Sequence, residues 1–272
     1  RAETLIQADL QGADLSGVDL EGADLRYANL RGALLEGTNL ENADLVGADL
    51  RGVQLGATRL GGADLTHSDL RRVKPARETS DSVAKKHPGY WVSHLIGACL
   101  AGADLRHAHL DRVVMDKATL RGADLRHARI DGSLSEAQCQ KADLRGADLL
   151  NTSLSGSDFT GANLRRATMS TPEWDRYEGR RASMSAVVFK DADLTRADLR
   201  GAWMYRSNLE GADLSQANME NVNLESANLS GAILAGANLR RASLIDAEVS
   251  AEQLRMVKSL EDAILTNRKR TS

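Results

Sequence analysis

ADLQGADLSGVDLEGADL, residues 8–25, returns a leucine at every fifth position, with a small or branched residue two places before it. In a helix a step of five turns the side chain by about 140°, so successive leucines stripe no single face. In a flat strand an odd step sends alternate leucines to opposite sides. One arrangement keeps every leucine inside. Ala8 and Leu10 face one way and Asp9 the other, and the remaining pair, Gln11-Gly12, turns the chain. Repetition of that unit bends the backbone into a polygon lined with Ala and Leu, and stacked polygons satisfy one another's peptide groups.

The central position runs from Leu5 to Leu70, resumes at Leu95 and continues to Ile130 with Met115 as a variant. There the register slips by one residue to Leu134, then passes through Cys139 and Phe159 to Met169, and a last block extends from Met184 to Val249. Leu15, Leu65, Leu125, Phe159, Phe189 and Leu214 are core positions on this reading. The units Ala13-Asp14-Leu15, Ala123-Asp124-Leu125, Ala162-Asn163-Leu164 and Ala237-Asn238-Leu239 resemble the A(D/N)LXX motif of the pentapeptide repeat proteins. The resemblance implies an all-β chain, a right-handed quadrilateral β-helix of roughly eleven coils over residues 1–249. Ser250 opens SAEQLRMVK with Gln253 three places on, a capping-box pattern that predicts a short helix at about 251–258 closing the stack, ahead of a basic tail within 250–272.

Two stretches lack the repeat, about 73–93 and about 170–183, and are read as projecting loops. With the slip at 131–133 they fall whole coils apart, so all three interruptions are expected at one corner. The inserts carry Tyr90, Trp91, Trp174, Arg176 and Tyr177, aromatic and arginine residues of the kind that anchor protein interfaces. The alternative is that the loops fold back and cover a side of the coils.

Aromatic residues are only 3% of the chain, so the interior must be narrow. Net charge is −3 but unevenly spread, from −7 over residues 1–70 to +6 over 71–130, a balance that argues against general nucleic-acid binding. No apolar run reaches membrane-spanning length, no signal-like segment is present, and two cysteines, Cys99 and Cys139, make no disulfide framework. A cytoplasmic protein is expected.

Chemistry is sparse. The aspartates recur at the outward place of nearly every unit, where contacts to turns explain them better than catalysis, which needs two different environments. His67, His107 and His127 each end an ADLxH unit and are expected to stack on successive coils, a weak candidate for zinc beside the plain reading of repeated surface histidines. Asp64, Asp104, Asp124 and Asp143 are expected in one column flanked by Arg106, Arg126 and Arg145. There is no phosphate loop, no C-x-x-C and no H-E-x-x-H, so no cofactor is expected. The resemblance extends to members that protect DNA gyrase and topoisomerase IV by imitating duplex DNA, and some of these pair through their C-terminal ends. It therefore implies a topoisomerase partner and a homodimer face at the C-terminal end. The other reading is a general protein-interaction scaffold.

Overall fold

The computed structural model describes residues 4–75, 93–150, 152–170 and 183–265, and contacts divide the chain into two compact units, Arg1–Gln138 and Cys139–Ser272.

In the first unit the outward residue of each repeat forms a parallel bridge with its counterpart one coil later. Four columns result. One runs through Asp24, Asp44, Asp64, Cys99, Thr119 and Gln138; the next through Asn29, Asp49, Asp69, Asp104 and Asp124. A third passes through Leu34, Gln54, Lys74, His109 and Arg129, and the fourth through Asn39, Arg59, His94 and Val114. The pairing is reciprocal: Leu10 N–H donates to the Asn29 carbonyl at 2.8 Å, and Asn29 N–H donates to the Ala8 carbonyl at 2.9 Å. Between columns, Ala13 N–H donates to the Leu10 carbonyl at 3.1 Å, closing a turn whose third residue, Gly12, has φ 66°. A positive φ at that place is the mark of a type II turn and suits glycine best. Where glycine is missing, side chains such as His107 (φ 58°) carry the left-handed conformation instead.

The outward aspartates hold these turns. Asp14 Oδ1 accepts from Ser16 N–H at 3.0 Å and Asp64 Oδ1 from Thr66 N–H at 3.0 Å, so the carboxylate organises the two residues that bend the chain. Inside, Leu65 and Leu125 are fully buried, each worth about 2 kcal/mol relative to exposure. Leu15 is only half-buried, because no described coil lies on its far side. Where Thr replaces the inward Ala, its hydroxyl finds a peptide partner: Thr38 and Thr58 donate to the Leu15 and Leu35 carbonyls at 2.8 Å.

Longer pairings mark the irregular corner. Strand β1 (Gln54–Leu55) pairs in parallel with β2 (Lys74–Pro75), and β3 (Ser93–His94) with β4 (His109–Val114), which pairs in turn with β5 (Arg129–Ser133). Val73-Lys74-Pro75 is therefore a regular repeat with proline at the centre, and Ser93 already belongs to the next side. The insert expected at 73–93 is correspondingly shorter, and its remainder, 76–92, lies outside the described residues. This extra unit moves everything after it a quarter turn from the sequence expectation. The register slip is a bulge: Arg112 is the additional residue on β4, opposite the shortened stretch of β5. A Cβ at Gly132 would sit 2.1 Å from the Val113 carbonyl oxygen, so only glycine allows the two backbones this close. The break after Pro75 and the bulge in the two following coils share the corner between the Gln54 and Asn39 columns.

The second unit repeats the construction in four columns, through Asp158 and Val188, Asn163 and Asp193, Thr168 and Asp198, and Ser183 and Trp203. Phe159 and Phe189 stack at 5.3 Å in adjacent coils and Leu214 is fully buried. Trp203 and Tyr205 are half-buried, with the Arg206 guanidinium 4.9 Å from the Tyr205 ring centre. Helix α1 (Ala251–Arg255) begins with the capping box: Gln253 N–H donates to Ser250 Oγ at 3.1 Å and Ser250 N–H donates to Gln253 Oε1 at 2.8 Å. The helix is shorter than expected and does not end the stack. It replaces one side of a coil, and Ser259 and Ile264 then pair with Asn238 and Ser243. Gln253 Nε2 donates to the Leu229 and Ala232 carbonyls at 2.6 and 2.8 Å, and so takes the place of the backbone N–H that the next coil would ordinarily offer to Ala232.

Leu125→Asp places an unpaired carboxylate in the bore and is expected to cost more than about 4 kcal/mol, abolishing a cooperative melt followed by circular dichroism. Gly132→Ala is expected to lower stability by about 1–3 kcal/mol in the same assay, against a smaller loss for Gly52→Ala, whose Cβ would meet nothing.

Candidate functional site

Tyr90, Trp91, Trp174, Arg176 and Tyr177 lie outside the described residues. What the structure does bring together is a ladder of opposite charges on the first unit. Asp69, Asp104 and Asp124 each take the arginine two residues on, Arg71, Arg106 and Arg126, at 2.6 Å, and Asp49 takes Arg51 in the same manner. Coil-to-coil contacts link the rungs: Arg51 Nε approaches Asp69 at 3.6 Å, Arg71 Nε approaches Asp104 at 3.4 Å and Arg106 Nε approaches Asp124 at 3.6 Å. The Arg51 side-chain hydrogen bond holds the Asp49 carboxyl below its ordinary 3.8. At Asp104 burial pushes upward, but the Arg106 hydrogen bonds and the charges of Arg106 and Arg71 outweigh it, so this carboxyl too is depressed.

The aspartate column expected from the sequence is therefore corrected in its membership. Asp69, not Asp64, precedes Asp104, because the Lys74 unit shifts the phase; Asp64 pairs with Cys99. The change concerns Asp64 alone; Asp143, in the second unit, carries Arg145 at 2.6 Å.

The histidines divide in the same way. His107 and His127 stack with ring centres 5.3 Å apart and planes 10° from parallel. His67 stands one corner away, against Gly102, where its Nδ1 lies 2.6 Å from the place a Cβ would take. The three-histidine arrangement does not form, and among the described residues no group of three His, Cys, Asp or Glu side chains is placed to hold a metal. All three histidines occupy the left-handed place of a turn, which accounts for their recurrence. Cys139 is buried, its thiol pushed up by desolvation and by Asp158, and Cys99 is partly exposed with Thr66 Oγ1 at 3.2 Å. No helix among the described residues is long and apolar enough to cross a membrane.

Beside the ladder lies a feature that sequence reading missed, a groove of about 620 Å³ lined by Arg31, Arg51, Arg71, Arg72, Lys74 and Arg106 together with Gly32, Gly52 and His107. Alignment of the sequence at twenty-residue intervals across the shortened insert brings these residues to one corner, but only once Lys74 is counted within a repeat.

A family model described as pentapeptide repeats matches in successive copies over residues 4–72, 98–170 and 182–250. Among solved structures the chain is similar to HetL, a pentapeptide repeat protein involved in heterocyst differentiation regulation from the cyanobacterium Nostoc sp., at 28% identity over 95% of this chain and 87% of that one, with a TM-score of 0.31. It is similar also to full-length QnrB1, a plasmid-mediated fluoroquinolone resistance protein, at 17% identity over 80% of this chain and 92% of that one, with a TM-score of 0.43. A pentapeptide repeat protein from the Arabidopsis thaliana thylakoid lumen is 24% identical over 58% of this chain and 68% of its own, with a TM-score of 0.20. No curated protein sequence matches significantly.

The depressed carboxyls make the ladder's contribution complete above pH 3.8 and lost as the pH falls through their native values. A melting series from neutral pH downward is expected to stay level and then decline below that point, and Asp49→Asn with Asp104→Asn is expected to shrink the acid decline.

Proposed function

The chain belongs to the pentapeptide repeat family, and we propose that it is a non-enzymatic protein-interaction scaffold that recognises its partner through the edges where its repeats depart from uniformity. The observation that carries this reading is the irregular corner of the first unit. Break and bulge follow one another there in consecutive coils, while the surrounding surface repeats a single turn design. Features that differ from coil to coil supply an address; a repeated surface does not. The loop residues Tyr90, Trp91, Trp174, Arg176 and Tyr177 are proposed as anchors of the contact, on a coil wound in the right-handed, four-sided manner of the family.

Topoisomerase protection by imitation of duplex DNA is the narrower form of the proposal. Its physical support would be an acidic face in place of phosphates, and residues such as Glu21 and Glu41 supply negative charge near the first coils. Against it stands the ladder, where Asp49, Asp69, Asp104 and Asp124 are each matched by an arginine. The general scaffold is therefore the reading we favour.

Affinity capture with the wild-type chain and with Tyr90, Trp91, Trp174 and Tyr177 all changed to Ala tests the proposal: the variant is expected to lose at least about tenfold of the captured partner while keeping its melting temperature. Supercoiling by purified gyrase, with and without a fluoroquinolone, separates the two forms. Drug protection by the wild type restores the topoisomerase reading, and no effect leaves the scaffold.

A further inference from the structure

Three of the cations lining the groove on the first unit are not spent on the ladder. Arg51, Arg71 and Arg106 have their carboxylates, whereas Arg31, Arg72 and Lys74 have none within ion-pairing distance among the described residues, and Arg31 only feels the field of Asp49 one coil on, a carboxylate that Arg51 already holds. The reasons are local. The residue two places before Arg31 is Asn29, which offers only its Oδ1 to the Arg31 N–H at 3.3 Å and carries no charge. Arg72 stands at the left-handed turn position that Gly32 and Gly52 occupy in the two preceding coils, so it adds a guanidinium where those coils have no side chain. Lys74 takes the outward place that Gln54 holds one coil earlier. All three are exposed, and all three border the same concavity.

We infer that this groove is a docking site for an acidic, extended peptide segment of a partner protein; the inference rests on the interaction-scaffold reading and names the chemistry of its partner. Arg31 and Arg106 are separated by three coil steps, about 14 Å, which an extended peptide covers in four or five residues. Along that length the protein alternates guanidinium and carboxylate for itself. Among the described residues Arg31, Arg72 and Lys74 close no ion pair, and Asp or Glu side chains of a peptide would supply the partner with charge-assisted hydrogen bonds, two-pronged at the two arginines and single at Lys74. A nucleic acid fits less well. The groove has no Phe, Tyr or Trp among its lining residues on which a base could stack, and the acidic residues of the first coils would repel a long phosphate backbone.

The test is fluorescence anisotropy with the full chain and a labelled peptide of about ten glutamates, beside a labelled thymidine oligonucleotide of the same length and inorganic triphosphate as competitor. Arg31→Gln with Arg72→Gly and Lys74→Gln removes the three charges that close no ion pair among the described residues, and the replacements suit the fold: glycine already occupies the place of Arg72, and glutamine that of Lys74, in neighbouring coils. The wild type is expected to bind the glutamate peptide, with affinity falling as salt rises, and the triple variant is expected to bind it at least about tenfold more weakly with an unchanged melt. Lys141→Ala with Arg166→Ala, exposed cations of the second unit, is expected to bind as the wild type does. Tighter binding of the oligonucleotide, displacement by triphosphate at equal charge concentration, or equal loss in the control variant would overturn the inference. Failure of the peptide to bind while affinity capture still responds to the four-alanine variant would sink this groove and leave the scaffold standing.

Discussion

Everything in this protein depends on one peptide pairing: the outward residue of a repeat exchanges backbone hydrogen bonds with the residue one whole coil away. A narrow bore of Leu and Ala buries too little aromatic surface to hold a chain of this length by side-chain bulk, so the coils must also satisfy nearly every peptide group they bring inside. The five-residue repeat makes that feasible. Three extended residues present their peptides to the coils on either side, and two turn residues redirect the chain before the next column. The aspartates that look like a reactive array in the sequence belong to this arrangement, each holding the turn beside it.

The sequence was a good guide wherever the repeat was unbroken. Leucine spacing identifies the inward positions, and Leu65, Leu125, Phe159, Phe189 and Leu214 are all buried. It misled where a unit has the backbone of a repeat without its residues. Val73-Lys74-Pro75 has no Ala and no Leu, and proline reads as a stop, yet Val73 sits five places after Ser68 and fills the inward position. The missed unit was worth a quarter turn, enough to separate His67 from His107 and to exchange Asp64 for Asp69 in the charged ladder. At the other end, Leu260 and Leu265 are five apart and announce that the coil continues past the helix, but an inserted turn of α-helix hides the register between them and Val249.

The groove was illegible for a different reason. Arg31, Arg72 and Lys74 are ordinary surface residues in one dimension, and their significance comes from what is missing beside them, an aspartate at the place of Asn29 before Arg31 and a glycine at the place of Arg72. Such absences become visible only when the columns are known. Charge totals point in the right direction, since the basic excess of residues 71–130 begins at this corner, but a total cannot say which cations are already matched.

The Lys74 unit also implies a rule for how chains of this kind can vary. A gain or loss of four repeats would return every downstream residue to its own column, whereas a single repeat would rotate all of them to new sides. The fold thus has a reading frame in space as well as along the gene. Duplication in whole coils would lengthen such a protein without rewriting its surface, and one stray pentapeptide would give the same residues a different face.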